Sequence, residues 1–148
     1  MPNWTIPPPP KAKPEKKFYL NLADPNEYTV QCELFHELRK AGVCCATECV
    51  FPLSWLKPDS LEPEVIRVDV VIHAHSSEAE GHLVLGGVEV KKGRWIKKEY
   101  IPSFERQRKK YNDWGLPYIY CMCREDIPQT VEWAVKLFNG ALEWRPPL

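Results

Sequence analysis

The chain has 148 residues with 20 acidic and 20 basic side chains, enough for one domain around a single core but too few for a separate recognition domain. Apolar residues make up 44% and charged residues 27%, the balance of an ordinary globular chain. No apolar run approaches the roughly 20 residues of a membrane span, and no apolar signal region opens the chain, so the expectation is a cytoplasmic protein with no membrane partner. The zero net charge hides an uneven distribution. Residues 91–110 hold nine cations, Lys91, Lys92, Arg94, Lys97, Lys98, Arg106, Arg108, Lys109 and Lys110, against only Glu99 and Glu105. Such a segment is either a polyanion-binding surface or a solvated helix face.

In chain order, residues 1–17 read as a flexible arm, with Pro7–Pro10 favouring extended polyproline and four lysines making the rest basic. Residues 18–148 form the domain proper, although Phe18–Ala23 is too short to assign. The spacing predicts a helix over 26–41. Gln31, Leu34, Phe35 and Leu38 lie on its inner stripe, Glu33, His36, Glu37 and Lys40 on its wet side, and Gly42 is its stop. Val43–Phe51 reads as a first strand containing Glu48, and Pro52–Pro63 as a loop.

Two β-branched runs follow, Arg67–Ile72 and Leu83–Lys91, and read as neighbouring strands joined by a polar hairpin loop from His73 to His82. Each carries an acid, Asp69 in the first and Glu89 in the second. Alternation puts Glu89 and Lys91 on one face and Val88 and Val90 on the other. An acid and a lysine on an apolar strand are costly to desolvate without partners, which a divalent metal and a phosphate would supply. By the same alternation Arg67 shares the Asp69 face, free to clamp a phosphate or pair with Glu48. Histidines 73, 75 and 82, clustered about the loop, read as solvent-facing rather than zinc ligands.

Pro102 and Ser103 open a second helix with Ser103 as its N-cap candidate, and Phe104, Gln107, Arg108 and Tyr111 fall on one stripe. Leu116–Cys123 reads as a further strand, and Asp126, Ile127 and Pro128 start a last helix that ends at Gly140. Of the six cysteines, Cys121 and Cys123 are same-face positions, as are Cys45 and Cys49. Buried thiols are the simpler reading and a zinc site the other.

Asp69 on one strand followed by Glu89-Val90-Lys91 on the next resembles the catalytic core of the PD-(D/E)XK nuclease superfamily, with Val68 standing where the family places its proline. Gln107-x-x-x-Tyr111, after the Glu-x-Lys strand, is similar to a motif of RecB-type exonucleases, where it packs beside the catalytic lysine. The cysteine pattern of the superfamily's iron–sulfur exonucleases is not matched. The resemblance covers roughly residues 26–125. It implies an α/β, restriction-endonuclease-like fold with an α-β-β-β-α-β core and a mixed central sheet flanked by helices.

The activity it implies is Mg²⁺- or Mn²⁺-dependent hydrolysis of DNA phosphodiester bonds, in exo- or endonuclease mode. Asp69 and Glu89, the Val90 carbonyl and Glu48 would be the metal ligands, and Lys91, Gln107 and Tyr111 would complete the catalytic set. Lys92, Arg94, Lys97, Lys98, Arg106, Arg108, Lys109 and Lys110 would follow the DNA backbone, and Trp95 and Tyr100 could stack on unpaired bases. Where many family members carry a helical Glu, Gln31 holds the inward polar position, with Glu27 one turn earlier and Glu33 pointing away. The alternatives are a DNA-binding protein on the same fold without activity, or an assembly protein whose basic face docks an acidic partner. A unit this small fits a homo-oligomer or a larger DNA-processing complex.

Overall fold

The computed structural model describes residues 17, 26–76 and 81–145. The expected arm (Lys17 apart), the Phe18–Ala23 segment and the tip of the β-hairpin lie outside the described residues. The elements run α1 (Glu27–Lys40), β1 (Cys45–Leu56), β2 (Pro63–His75), β3 (His82–Val90), α2 (Ile101–Trp114), β4 (Tyr118–Cys121) and α3 (Ile127–Phe138). This is an α/β chain with an open four-stranded sheet in the order β1-β2-β3-β4. The first three strands are antiparallel, and β4 lies parallel to β3, which requires the crossover that α2 provides.

Local chemistry explains the helix ends. The Asn26 side chain accepts the Thr29 N–H at 2.9 Å to cap α1, Glu27 sits in the first turn and Arg39 and Lys40 in the last, and Gly42 leaves the helix at φ 80°. Ser103 is not the cap of α2. A short 3₁₀ turn at Lys98–Tyr100 leads directly into the helix, so Pro102 and Ser103 fall within its first turn.

The sheet is covered on both faces. Val30, Leu34 and Leu38 of α1 and Ile127 and Ala134 of α3 pack with Val70, Ile72, Val88 and Val90. On the other face Tyr111 of α2 packs with Ile66, Val68, Val71 and Tyr118, with Trp55, Trp114 and Trp144 around them. The approach of α2 is close because β3 offers glycine there. A methyl on Gly87 would stand 2.5 Å from Val68 Cγ1 and 3.3 Å from the Trp114 ring.

Three expectations are corrected. β1 does not stop before Pro52 but continues to Leu56; as the edge strand it can hold a proline, because a missing N–H toward the open side breaks no ladder bond. The histidines are not in a long loop: His75 pairs with His82 and Ala74 with Leu83, so the strands run to the turn. Cys45 and Cys49 do not share a face. Cys45 belongs to the α1/α3 core and Cys49 packs on the α2 side, because Glu48 between them adopts a left-handed backbone with φ 55° and turns the strand over. In the constant register around it, Thr47 with Val70 and Cys49 with Val68, Glu48 stands opposite Asp69. There β2 turns as well: Ile66 and Val68 face α2, whereas Val70 and Ile72 face α1 and α3.

Candidate active site

The turn at Asp69 opens the sheet. Pairing between β2 and β3 reaches Val70 opposite Val88 and goes no further toward Asp69, while β3 continues against β4 as far as Val90 opposite Cys121. The Val90 N–H that would look for a β2 carbonyl is taken instead by Asp69 Oδ2 at 2.8 Å. A side chain thus replaces a ladder bond, satisfying a backbone donor that would otherwise be orphaned. It also holds the Asp69 carboxylate at the mouth of the gap.

Glu89, one residue before Val90, points to the α2 face and is only 3% exposed. Three donors hold it: Tyr111 Oη on Oε2 at 2.7 Å, Gln107 Nε2 on Oε1 at 2.7 Å, and Lys91 Nζ on Oε1 at 3.3 Å. Gln107 and Tyr111 are one helical turn apart, so both reach the same carboxylate from above. The Asp69 and Glu89 carboxyls lie within hydrogen-bonding reach of each other. Burial, then the neighbouring Asp69 charge, pushes the Glu89 carboxyl up to about 7, and burial pushes Asp69 up as well. Tyr111 is pushed up by burial and by Glu89, so it stays a donor. The setting therefore disfavours ionisation of both carboxyls at once.

Two clefts meet at Ser103 and Gln107. The smaller, about 260 Å³, is lined by Arg67, Asp69, Glu89, Arg106 and Lys110 among others. The larger, about 560 Å³, is lined by Glu27, Lys91, Lys92, Lys97 and three aromatic rings. Gln107 Oε1 between them is buried with no hydrogen-bond partner.

Asp69, Glu89, Val90, Lys91, Gln107 and Tyr111 are thus brought together. Glu48 stands near enough to Asp69 for its charge to push that carboxyl up, but its carboxylate pairs with Arg67 at 3.2 Å, the ion pair being one of the two roles open to Arg67, which also lines the smaller cleft. Gln31 is buried against the α1/α3 core. Glu33 does not simply face water but grips Arg124 through both oxygens, at 2.6 and 2.8 Å. Three of the eight expected backbone-binding cations are already engaged in ion pairs. Arg94 pairs with Asp126, while Lys110 and Arg106 pair with the buried Glu64 at 3.3 and 3.6 Å. Lys109 lies over the Trp55 ring at 5.1 Å. Sequence reasoning left Glu27 and Glu64 out of the site. Glu27 is an acid one turn before Gln31 in the sequence, but Glu64 carries no local signal, because its charged partners Arg106 and Lys110 are more than forty residues away.

No protein-family model, curated protein or solved structure matches this chain. The arrangement has to be read from its chemistry.

The donor set fits a hard divalent cation. Asp69 and Glu89 are adjacent oxygen donors, both raised chiefly by burial, and Asp69 borders an open cleft. Among the described residues no third His, Cys, Asp or Glu joins them as a metal-holding group.

Proposed function

We propose that the chain is a metal-dependent deoxyribonuclease on a restriction-endonuclease-like fold. The observation that carries this reading is the meeting of Asp69, Glu89 and Lys91 at the opening between β2 and β3, with Gln107 and Tyr111 fastening Glu89 from α2. A Mg²⁺ or Mn²⁺ ion held by Asp69, Glu89 and the Val90 carbonyl would stabilise charge on the scissile phosphate and ready a water for attack.

The chain's own groups do the positioning. Asp69 is fixed by the Val90 N–H, and its side chain lines the cleft. Tyr111 and Gln107 fix the plane of Glu89. Lys91 places its ammonium between Glu89 and the larger cleft, where it balances phosphate charge and orients the water. Lys92, Lys97 and Lys98 are exposed beside it and supply sequence-independent backbone contacts. No helix among the described residues is long and apolar enough to cross a membrane.

One observation favours a second reading, a DNA-binding protein on the same fold without activity: both Glu89 oxygens are already occupied by protein donors. Incubation of the purified chain with end-labelled linear, circular, single-stranded and branched DNA decides between them. Cleavage with Mg²⁺ or Mn²⁺ that disappears with chelator and in Asp69→Ala supports the nuclease. Binding without cleavage by the wild type supports the second reading.

A further inference from the structure

The larger cleft has a composition that backbone binding does not explain. Lys91, Lys92 and Lys97 line it against a single acid, Glu27, and so do the rings of Trp95, Tyr100 and Phe104. Trp95 is 97% exposed and Tyr100 57%. An indole left in water gains nothing for the fold, yet the segment that carries it is tied down. Arg94, its chain neighbour, pairs with Asp126, whose other oxygen accepts the Met122 N–H at 3.1 Å. On the far side the Tyr100 N–H bonds the Lys97 carbonyl at 2.8 Å. Trp95 is therefore displayed from an anchored stretch between two groups of lysines.

Ammonium groups interleaved with accessible flat rings fit one kind of polyanion, a nucleic acid whose bases are unpaired. A duplex offers phosphates to the lysines but keeps its base faces stacked inside, so the rings would have no partner. The cleft shares Gln107 and Ser103 with the Asp69–Glu89 cleft and contains Lys91 itself, so a strand lying in it is aimed at the carboxylate pair.

We infer that this cleft receives a single-stranded segment of nucleic acid, its bases stacking on Trp95 and Tyr100 and its phosphates facing Lys92 and Lys97. The inference rests on the nuclease reading for its direction toward Lys91, but it is tested by binding alone. Fluorescence anisotropy in chelator, at about 0.05 M salt where phosphate contacts are strong, compares a labelled oligothymidine with a blunt duplex of equal length. Trp95→Ala is expected to weaken oligothymidine binding about 10-fold, the loss of one stacked base, while duplex binding stays within about 2-fold. Trp95→Phe is expected to keep most of the affinity, and the melting temperature of both variants should match the wild type because the side chain is exposed. Equal weakening for both probes, an unchanged oligothymidine affinity, or no binding by the wild type overturns the inference. If the wild type binds the oligothymidine through Trp95 yet cleaves no DNA with Mg²⁺ or Mn²⁺, the cleavage reading fails and this one stands.

Discussion

Where α1 and α3 cover the sheet, the buried layer is almost wholly apolar: Val30, Leu34, Leu38, Val70, Ile72, Val88, Val90 and Ala134. Where α2 covers the same strands, Tyr111, Gln107, Glu89 and Lys91 are joined in one hydrogen-bonded group with Asp69 beside it. β3 serves both, with Val88 and Val90 turned to one side and Glu89 and Lys91 to the other. The difference teaches how a small domain can carry an unfavourable polar centre. The apolar face supplies the folding free energy, and the other face keeps two carboxyls in a setting that favours neither being charged.

Substitutions should separate the two faces. Leu34→Ala is expected to lower stability by about 2–5 kcal/mol, the usual effect of a cavity in a close-packed core, read by urea unfolding. Asp69→Asn keeps an acceptor for the Val90 N–H, so it should change stability by less than about 1 kcal/mol.

Glu89→Gln should go the other way. A carboxyl raised to about 7 from 4.5 binds more protons folded than unfolded between those values. Stability from this group is therefore present on the acid side and lost as pH rises through 7. At pH 8 in chelator the variant is expected to be more stable than the wild type by on the order of 1–2 kcal/mol, and the difference should vanish below about pH 4. Unfolding curves at both pH values check it.

Tyr111→Phe removes a donor that holds the Glu89 carboxyl down, so the pH at which Glu89 ionises should move further up. A nuclease should show this as a rising limb of its pH–rate profile displaced to higher pH, with a stability loss of about 1 kcal/mol. The smallest effect is expected at Glu48. Glu48→Gln breaks a half-exposed pair with Arg67, a change of less than about 1 kcal/mol. It should leave cleavage near the wild-type rate, whereas a loss beyond about 100-fold would bring Glu48 into the metal site after all.

Much of this centre was legible in the sequence because its parts are close along the chain. Asp69, Glu89 and Lys91 announce themselves as charges inside β-branched runs, and Gln107 and Tyr111 as polar groups on a helical stripe. The features that were not legible depend on partners far apart in sequence or on a single backbone angle. Nothing local says that Glu48 adopts φ 55° and reverses which residues face inward, so Cys45 and Cys49 were placed together. Nothing local pairs Arg94 with Asp126 or Lys110 with Glu64, so these cations read as free for DNA. Pro52 reads as a loop signal because a proline tells nothing of whether its strand will lie at the sheet edge.

Asp69 and Glu89 together are proposed to form a site for a hard divalent cation. The most direct test is the melting temperature at pH 8 as Mn²⁺ is added, for the wild type and for Asp69→Asn. A ligand that binds only the folded state stabilises by RT ln(1 + [L]/Kd), about 2.7 kcal/mol at 100 times Kd. A saturable rise is expected in the wild type and none in Asp69→Asn. No rise in the wild type, or the same rise in both, would contradict it.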